Sequence, residues 1–184
     1  MSEFENSKVR LFFAVMPDPE TRERIAAAAV SMRLGSDVRL VLPHNYHMTL
    51  AFIGEVPARQ VPTLQRIGAA QRMTPCSLRI DAYEFWPKPK VVVGAAQTLP
   101  AALERLWRQL HRDLAEHQWA LDPQQLRPHV TLARKVSQAP VLQAMSAFDW
   151  LVRDFSLVRS DTGGIQSAYT VLDTWSLLDD SGNA

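Results

Sequence analysis

The four-residue pattern His-x-Thr-Leu occurs twice in this chain, and its spacing constrains the fold more than any other feature. The copies are residues 47–50 and 129–132, so their histidines are 82 positions apart (129 − 47). A β-branched run that predicts a strand precedes each copy, and the two runs contain Val9 and Val91, again 82 positions apart (91 − 9). A fixed internal offset is typical of a structural repeat. We therefore predict two pseudo-symmetric lobes.

Each half contains a strand, a proline-started helix and then the strand that carries the motif. Asp18 and Pro19 predict the start of the first helix, and Pro100 predicts the start of the third. The predicted helices are 19–33 (ended by Gly35), 58–73 and 100–117. The predicted strands are 9–15, 38–42, 47–54, 77–85, 90–96, 129–135, 150–159 and 169–178, the last two as a closing antiparallel pair connected through 162–164. Together these elements predict an α+β protein.

Composition limits the class of protein and its partners. The 184 residues suffice for a single domain, which we place at 8–179 with frayed ends at 1–7 and 180–184. No apolar run reaches the roughly 20 residues of a membrane helix, and the first residues lack the features of a signal peptide. Cys76 is the only cysteine, so an internal disulfide is excluded. We therefore expect a cytoplasmic protein with no membrane association. Its net charge of +1 restricts any nucleic-acid contact to a local patch.

Alternation along a strand gives the repeated motif its chemical meaning. Successive side chains point to opposite faces, so His47 and Thr49 share one face and His129 and Thr131 share another. A two-fold relation between the lobes would bring the two faces together across a groove. The sequence therefore predicts two histidines and two threonines around one site.

Two facing histidines suit reactions at phosphorus. In-line displacement needs a base on one side of the phosphorus and an acid on the other. Because histidine titrates near pH 6.5, one ring can be neutral while the other is protonated. Threonine hydroxyls can donate hydrogen bonds to phosphate oxygens. Neither motif contains Asp, Glu or Cys, so we expect no metal site.

Further candidates surround the two motifs. Arg134 lies five positions after His129, an odd offset that turns it to the opposite face of a regular strand; past a bulge it could reach the groove and contact phosphate or ribose. Tyr46 and Tyr169 are candidates to flank a base, whereas Phe52 is expected in the core.

The remaining histidines and several basic residues have weaker signals. Three histidines are expected to be solvated: His44, His111 and His117. Four cations could form a local basic rim: Arg10, Lys88, Lys90 and Arg127.

The residues at 10–15, 43–54 and 127–134 resemble those of the RNA 2′,3′-cyclic phosphodiesterases of bacteria and archaea. These enzymes, historically called 2′-5′ RNA ligases, belong to the two-histidine phosphoesterase superfamily. The resemblance implies two lobes, each an antiparallel sheet with helices on its outer face, and an active-site groove between them. It also implies hydrolysis of RNA 2′,3′-cyclic phosphate ends to 2′-phosphomonoesters without metal or cofactor.

The resemblance also implies roles for individual residues. His47 would donate a proton to the departing 3′ oxygen, and His129 would accept a proton from water. Independently of the resemblance, Thr49, Thr131, Arg134 and Tyr46 are our candidate substrate contacts. In the reverse direction the family joins RNA ends through a 2′-5′ linkage without ATP. We expect the partners to be RNA ends with 2′,3′-cyclic phosphates, including tRNA fragments, and the protein to be a monomer.

Two alternatives stay open at the level of the sequence. The groove could bind a nucleotide or an RNA end without converting it. The same fold could instead act on a small cyclic nucleotide, ADP-ribose cyclic phosphate or a 2′-5′ oligonucleotide.

Overall fold

Ten strands and three α-helices form the computed structural model, which describes residues 7–35, 37–119, 121, 125–161 and 168–177. The strands are β1 Lys8–Val15, β2 Arg39–Leu40, β3 Met48–Pro57, β4 Cys76–Ile80, β5 Ala82–Trp86, β6 Val91–Ala95, β7 His129–Arg134, β8 Phe148–Val152, β9 Asp154–Asp161 and β10 Ala168–Ser176. The helices are α1 Pro19–Ser31, α2 Val61–Ala70 and α3 Ala101–Glu116. This composition confirms the predicted α+β class.

Two four-stranded antiparallel sheets form the two lobes. The first has the order β10-β9-β1-β3, and the second has the order β2-β7-β6-β5. A separate pair, β4 with β8, completes the topology. The motif-bearing strands β3 and β7 therefore lie in different sheets, each paired with the strand that the repeat assigns to it.

The repeat extends to an irregularity in the sheets. In the first lobe Ala14 pairs with Thr49 and Phe13 pairs with Ala51, so Leu50 is an extra residue in β3. In the second lobe Val93 pairs with Thr131 and Val92 with Ala133, so Leu132 is likewise an extra residue in β7. Both β-bulges thus fall on the leucine of the motif.

The same pairing corrects the offset of the first strands. The partners of Thr49 and Thr131 are Ala14 and Val93, which are 79 positions apart (93 − 14). The predicted equivalence of Val9 with Val91 is therefore wrong by three positions. The segment between the paired strands of the second lobe is three residues longer.

The start of α1 follows the prediction. The Asp18 carboxylate accepts hydrogen bonds from the backbone N–H of Thr21 at 2.8 Å and from its hydroxyl at 3.0 Å. These bonds lower the pKa of Asp18. Its end differs, because Arg33 rather than Gly35 adopts the positive φ that follows the helix.

Three other predicted elements have different boundaries. Predicted helix 58–73 is a 3₁₀ turn at Ala58–Gln60 followed by the shorter α2. Predicted strand 77–85 divides at Asp81 into β4 and β5, which join different sheets. Predicted strand 150–159 divides at Arg153: β8 pairs with β4, and β9 forms the expected antiparallel pair with β10. In each case the sheet partner sets the boundary, which local propensity does not encode.

One continuous core joins the lobes. Buried side chains from both motif strands, including Leu50 and Leu132, pack in a single cluster with helix residues such as Ile25 and Leu106. Helices α1 and α3 reach across the repeat, because α1 contacts β7 and α3 contacts β3. The helices therefore cover the sheet faces opposite to those of the motif histidines, as the resemblance implies.

The chain ends are only partly described. Ser7 accepts a hydrogen bond at its carbonyl from the N–H of Ala58 at 2.8 Å. The predicted frayed residues 1–6 and 180–184 and the connection at 162–164 lie outside the described residues. Within the described part of the chain, no helix is long and apolar enough to span a membrane.

Candidate active site

The two His-x-Thr motifs meet in one groove. Strands β3 and β7 contact each other although they belong to different sheets. The charges of His129 and Arg134 both act on His47 and lower its pKa, which places the second motif strand beside the first histidine. The predicted juxtaposition of the two motifs is therefore present in the structure.

The two histidines have equivalent backbone anchors. The Nδ1 atom of His47 is 2.8 Å from the carbonyl oxygen of Asn45, and Nδ1 of His129 is 2.7 Å from that of Arg127. Because a carbonyl can only accept, each Nδ1 carries the proton of the neutral ring. Nε2 is then the atom that can take up or release a proton.

The rings of both histidines pack against aromatic side chains. Phe12 and Tyr169 contact the ring of His47, with centroid distances of 4.9 and 5.0 Å. Trp86 contacts the ring of His129 at a centroid distance of 4.4 Å. Burial against these surfaces penalises the charged form of both histidines.

Burial is accordingly the largest influence on both pKa values. It lowers the pKa of His47 to about 4, and the charges of Arg134 and His129 add to this effect while the bond to Asn45 opposes it. Burial also lowers the pKa of His129. There the Arg127 carbonyl and the carboxylate of Glu84 act in the opposite direction, and the Arg127 charge adds to the lowering. Both histidines thus have an arginine neighbour, and the carboxylate of Glu84 beside His129 is what distinguishes them.

The matched bulges decide the position of Arg134. Because Leu132 is an extra residue, the alternation of β7 shifts and Arg134 returns to the exposed groove face. Phe52, its counterpart 82 positions earlier, returns in the same way after Leu50 and is 51% exposed. The expectation that Phe52 lies in the core is therefore wrong. Arg134 lies beyond the bulge and lines a cavity beside His47, while its contact with substrate stays a prediction.

A small cavity of about 310 Å³ adjoins His47. Phe52 and Arg134 line it, together with Thr49 and Tyr169. Arg10 also lines this cavity, and its guanidinium lies 4.9 Å from the centre of the Phe52 ring. The cavity therefore combines aromatic surfaces with two cations.

A larger cavity of about 1330 Å³ adjoins His129. Its lining includes Thr49 and Phe52, so it meets the small cavity at these two residues. Beside His129, the carboxylate of Glu84 accepts hydrogen bonds from Arg127 and from the indole of Trp86, both at 2.7 Å. The Arg127 guanidinium also lies 4.8 Å from the centre of the Trp86 ring.

The other predicted substrate contacts have different positions. Thr49 lines both cavities, whereas Thr131 is half-buried at the equivalent position and lines neither of them. Tyr46 is 2% exposed and belongs to the core, so the predicted contact of Tyr46 with substrate is not supported. Burial also raises the pKa of its hydroxyl.

The weaker sequence candidates divide between groove and surface. Lys88 and Arg127 line the larger cavity, whereas Lys90 lines neither cavity. His44 and His117 are exposed, as predicted. The prediction for His111 is wrong.

His111 is half-buried and lines the larger cavity. Its Nε2 is 3.0 Å from the carbonyl oxygen of Leu50, the extra residue of the β3 bulge. The ring of Trp107 lies 4.4 Å away. The apolar stripe of α3 could have indicated this inward position, since His111 follows the buried Leu110.

The side chains of the described residues that could ligate a metal ion do not form a cluster. Among the described residues, no group of three or more His, Cys, Asp or Glu side chains converges in a way that could hold a metal ion.

Comparisons with known proteins bear on the whole chain. A family model described as the 2′-5′ RNA ligase superfamily matches residues 17–164. The protein named RNA 2′,3′-cyclic phosphodiesterase from Thermus thermophilus is 30% identical, over 95% of this chain and 93% of that protein. The Escherichia coli protein of the same name is also 30% identical, over 91% of this chain and 96% of that protein. The crystal structure of E. coli LigT complexed with 3′-AMP has a TM-score of 0.84, with 27% identity over 94% of this chain and 100% of that chain.

Proposed function

The chain belongs to the 2′-5′ RNA ligase superfamily, and on this basis we propose that it hydrolyses RNA 2′,3′-cyclic phosphate ends to 2′-phosphomonoesters. The match confirms the resemblance drawn from the two motifs. Relatives named RNA 2′,3′-cyclic phosphodiesterase at 30% identity support this enzyme class.

One structural observation carries the proposal. Two histidines with identical backbone anchors, His47 and His129, face one groove close enough for the charge of one to affect the other. A binding site has no need for two proton-transfer groups in equivalent positions, whereas displacement at phosphorus needs both.

In the proposed reaction each histidine has one role. Nε2 of His129 accepts a proton from water as the water attacks phosphorus, and Nε2 of His47 donates a proton to the departing 3′ oxygen. Thr49 and Thr131 donate hydrogen bonds to the non-bridging oxygens, and Arg134 balances their negative charge. No step requires a metal or a cofactor. The reverse reaction would form a 2′-5′ linkage.

To act as the acid, His47 must have a higher pKa in the complex with substrate than in the free protein. In the free protein the pKa of His47 is about 4, so its ring is neutral near neutral pH. A phosphate anion beside it favours the charged ring and offsets the repulsion from Arg134. Substrate binding and proton uptake by His47 are therefore coupled.

The small cavity suits the terminal nucleoside. Its volume of about 310 Å³ lies at the lower end of the roughly 300–1,000 Å³ of small-molecule sites. Phe52 offers an exposed aromatic face and Arg134 a planar cation, which are the groups that bind unstacked bases. Action on tRNA fragments, as a monomer and in the cytoplasm, stays a prediction.

Product analysis tests the proposal. An oligonucleotide that ends in a 2′,3′-cyclic phosphate is incubated with the protein in EDTA, and the product is expected to carry a 2′-phosphate. Either His47→Ala or His129→Ala should abolish turnover while the fold is retained. The exposed histidines His44 and His117 provide matched controls, and their alanine variants should keep full activity. A 3′-phosphate product, or turnover by either groove variant, would contradict the assigned chemistry.

The same assay separates the alternatives. Tight binding of the oligonucleotide without any product would favour a binding module. Faster turnover of a free cyclic nucleotide or a 2′-5′ oligonucleotide than of the RNA end would change the substrate class and leave the histidine chemistry in place.

A further inference from the structure

A carboxylate lies beside only one of the two groove histidines. Among the described residues, Glu84 is the only acidic side chain that lines the larger cavity, and the small cavity beside His47 has none. The charge of Glu84 acts on His129, whereas the charges that act on His47 are all positive. The repeat therefore accounts for the two histidines but not for this difference between them.

The pairing of the second sheet places Glu84 on the groove face. Glu84 of the edge strand β5 lies opposite Val93 of β6, and Val93 lies opposite Thr131 of β7. Directly opposed residues point to the same face of an antiparallel sheet, so Glu84 shares the face of Thr131 and His129. Trp86 follows two positions after Glu84 and points the same way. The edge strand therefore contributes two side chains to the wall around His129.

Glu84 binds both residues that contact the His129 ring. Its Oε2 atom accepts hydrogen bonds from the Arg127 guanidinium and from Nε1 of Trp86, both at 2.7 Å. The Trp86 ring contacts the His129 ring at a centroid distance of 4.4 Å, and the Arg127 carbonyl accepts the hydrogen bond of His129 Nδ1 at 2.7 Å. The Arg127 guanidinium lies 4.8 Å from the centre of the Trp86 ring. The contacts among these four residues therefore form a closed network.

The two charges of this network have opposite effects at His129. The guanidinium of Arg127 disfavours a positively charged ring, and the carboxylate of Glu84 favours it. A general base becomes positively charged when it takes up its proton. The charge of Arg127 alone would therefore oppose proton uptake by His129, and Glu84 offsets this opposition.

We propose that Glu84 is a positioning residue that makes His129 the base of the reaction, because it neutralises the charge of Arg127 and holds Trp86 against the ring. This inference rests on the proposed function. A water oxygen forms its bond to phosphorus while one water proton passes to Nε2 of His129; the P–O3′ bond breaks, and the proton of His47 passes to O3′. Glu84 exchanges no proton in this step. Its negative charge stabilises the imidazolium of His129 as that cation forms.

The substitution Glu84→Gln separates the charge from the hydrogen bonds. The amide oxygen of glutamine still accepts from Arg127 and Trp86, but the negative charge is lost. With the cyclic-phosphate oligonucleotide, kcat should fall by about ten-fold, which is part of the roughly 10²–10⁴-fold that proton transfer contributes. KM should not rise, because a carboxylate repels the substrate phosphate. A wild-type kcat in this variant would overturn the inference.

NMR of the ring nitrogens measures the effect on His129 without substrate. In Glu84→Gln the pKa of His129 should be lower than in the wild type, while Nδ1 keeps its proton because the carbonyl that accepts it is unchanged. The other titratable groups that face this part of the groove are the same in both proteins: His47, His111 and Lys88. An unchanged pKa of His129 would mean that Glu84 is only a structural support, and the inference would be wrong.

A second substitution tests whether Arg127 carries the charge that Glu84 offsets. The double variant Glu84→Gln with Arg127→Gln loses both charges of the ion pair, but the backbone carbonyl at position 127 stays. Both kcat and the pKa of His129 should recover toward the wild-type values, relative to Glu84→Gln alone. A double variant that is as slow as the single variant, or slower, would contradict the assigned role.

Glu104 provides the matched control. Its carboxylate accepts a hydrogen bond from Arg108 at 2.6 Å, and it lines neither cavity of the groove. Glu104→Gln should keep the wild-type kcat and the wild-type pKa of His129. If the wild-type protein does not hydrolyse the cyclic end, the proposed function fails; if Glu84→Gln hydrolyses it at the wild-type rate, only the role of Glu84 fails.

Discussion

His47 and His129 show how two equivalent residues can acquire different electrostatic surroundings. Their backbone anchors are the same, so the tautomer is the same. Each histidine has an arginine whose charge lowers its pKa, Arg134 for His47 and Arg127 for His129, but His129 also has the carboxylate of Glu84, which raises its pKa. The repeat therefore places the two histidines in equivalent positions, and residues outside the motif give them different charged neighbours.

The first prediction concerns the pKa of the His47 ring. In the free protein its pKa should be near 4, because burial and two cationic neighbours disfavour the charged ring. Inorganic phosphate should raise this pKa, and Arg134→Gln should raise it in the absence of phosphate. NMR of the ring nitrogens measures both changes. A pKa of His47 near 6.5 without phosphate would contradict the description.

The sequence predicted the histidines and threonines of the groove but few of the residues that surround them. The two histidines and two threonines follow from strand alternation, which is a local property. Glu84 and Trp86 reach His129 from β5, whose position depends on pairing with β6. Tyr46 directly precedes His47, but its side chain is 2% exposed and packs in the core instead of the groove.

At the scale of the elements, the bulges decide which face each motif strand presents. Arg134 and Phe52 reach the groove because one residue is inserted at Leu132 and at Leu50. A regular strand would have buried both side chains or turned them away. A β-bulge is defined by the pairing of two strands. The sequence of one strand alone therefore allows a bulge but does not predict it.

The contact of α2 with β10 provides the second expected outcome. A Cβ added at Gly68 would lie 2.4 Å from ring atoms of Trp175, which itself packs against Phe13 and Phe155. Alanine usually favours a helix over glycine by about 1 kcal/mol, but overpacking costs about 1–3 kcal/mol. Gly68→Ala should therefore lower the free energy of unfolding, measured in urea.

The neighbouring position supplies the control for this substitution. Ala69 is exposed on the same helix, so Ala69→Ser should change stability little. Neither variant touches the two cavities, and both should hydrolyse the cyclic phosphate at the wild-type rate. An increase in stability for Gly68→Ala would show that Trp175 moves without cost.

At the scale of the whole molecule, the groove and the core depend on each other. The two sheets share one core, and each long helix packs on a strand of the opposite repeat. His111 links the core to the groove, because its ring extends from α3 to the carbonyl oxygen of Leu50 at the β3 bulge. The lobes are thus parts of one packed unit, and we expect the protonation of the groove histidines to affect its stability.

This coupling predicts an acid-sensitive fold. Burial lowers the pKa of His47, His111 and His129 in the folded chain, whereas in the unfolded chain each histidine titrates near 6.5. Below that pH the unfolded state binds more protons, so the free energy of unfolding should fall as the pH decreases from about 6.5 toward about 4. Asp154, whose pKa is raised, acts in the opposite direction at the acid end.

Urea unfolding between about pH 7 and about pH 5, without phosphate, measures this slope. His111→Gln isolates one contribution, because the glutamine amide can still donate to the Leu50 carbonyl but does not titrate. The variant should show a shallower loss of stability than the wild type, whereas the exposed His117→Gln should reproduce the wild-type slope. A stability that stays level or rises toward pH 5 would mean that the groove accommodates charged histidines, and the lowered pKa values would then be wrong.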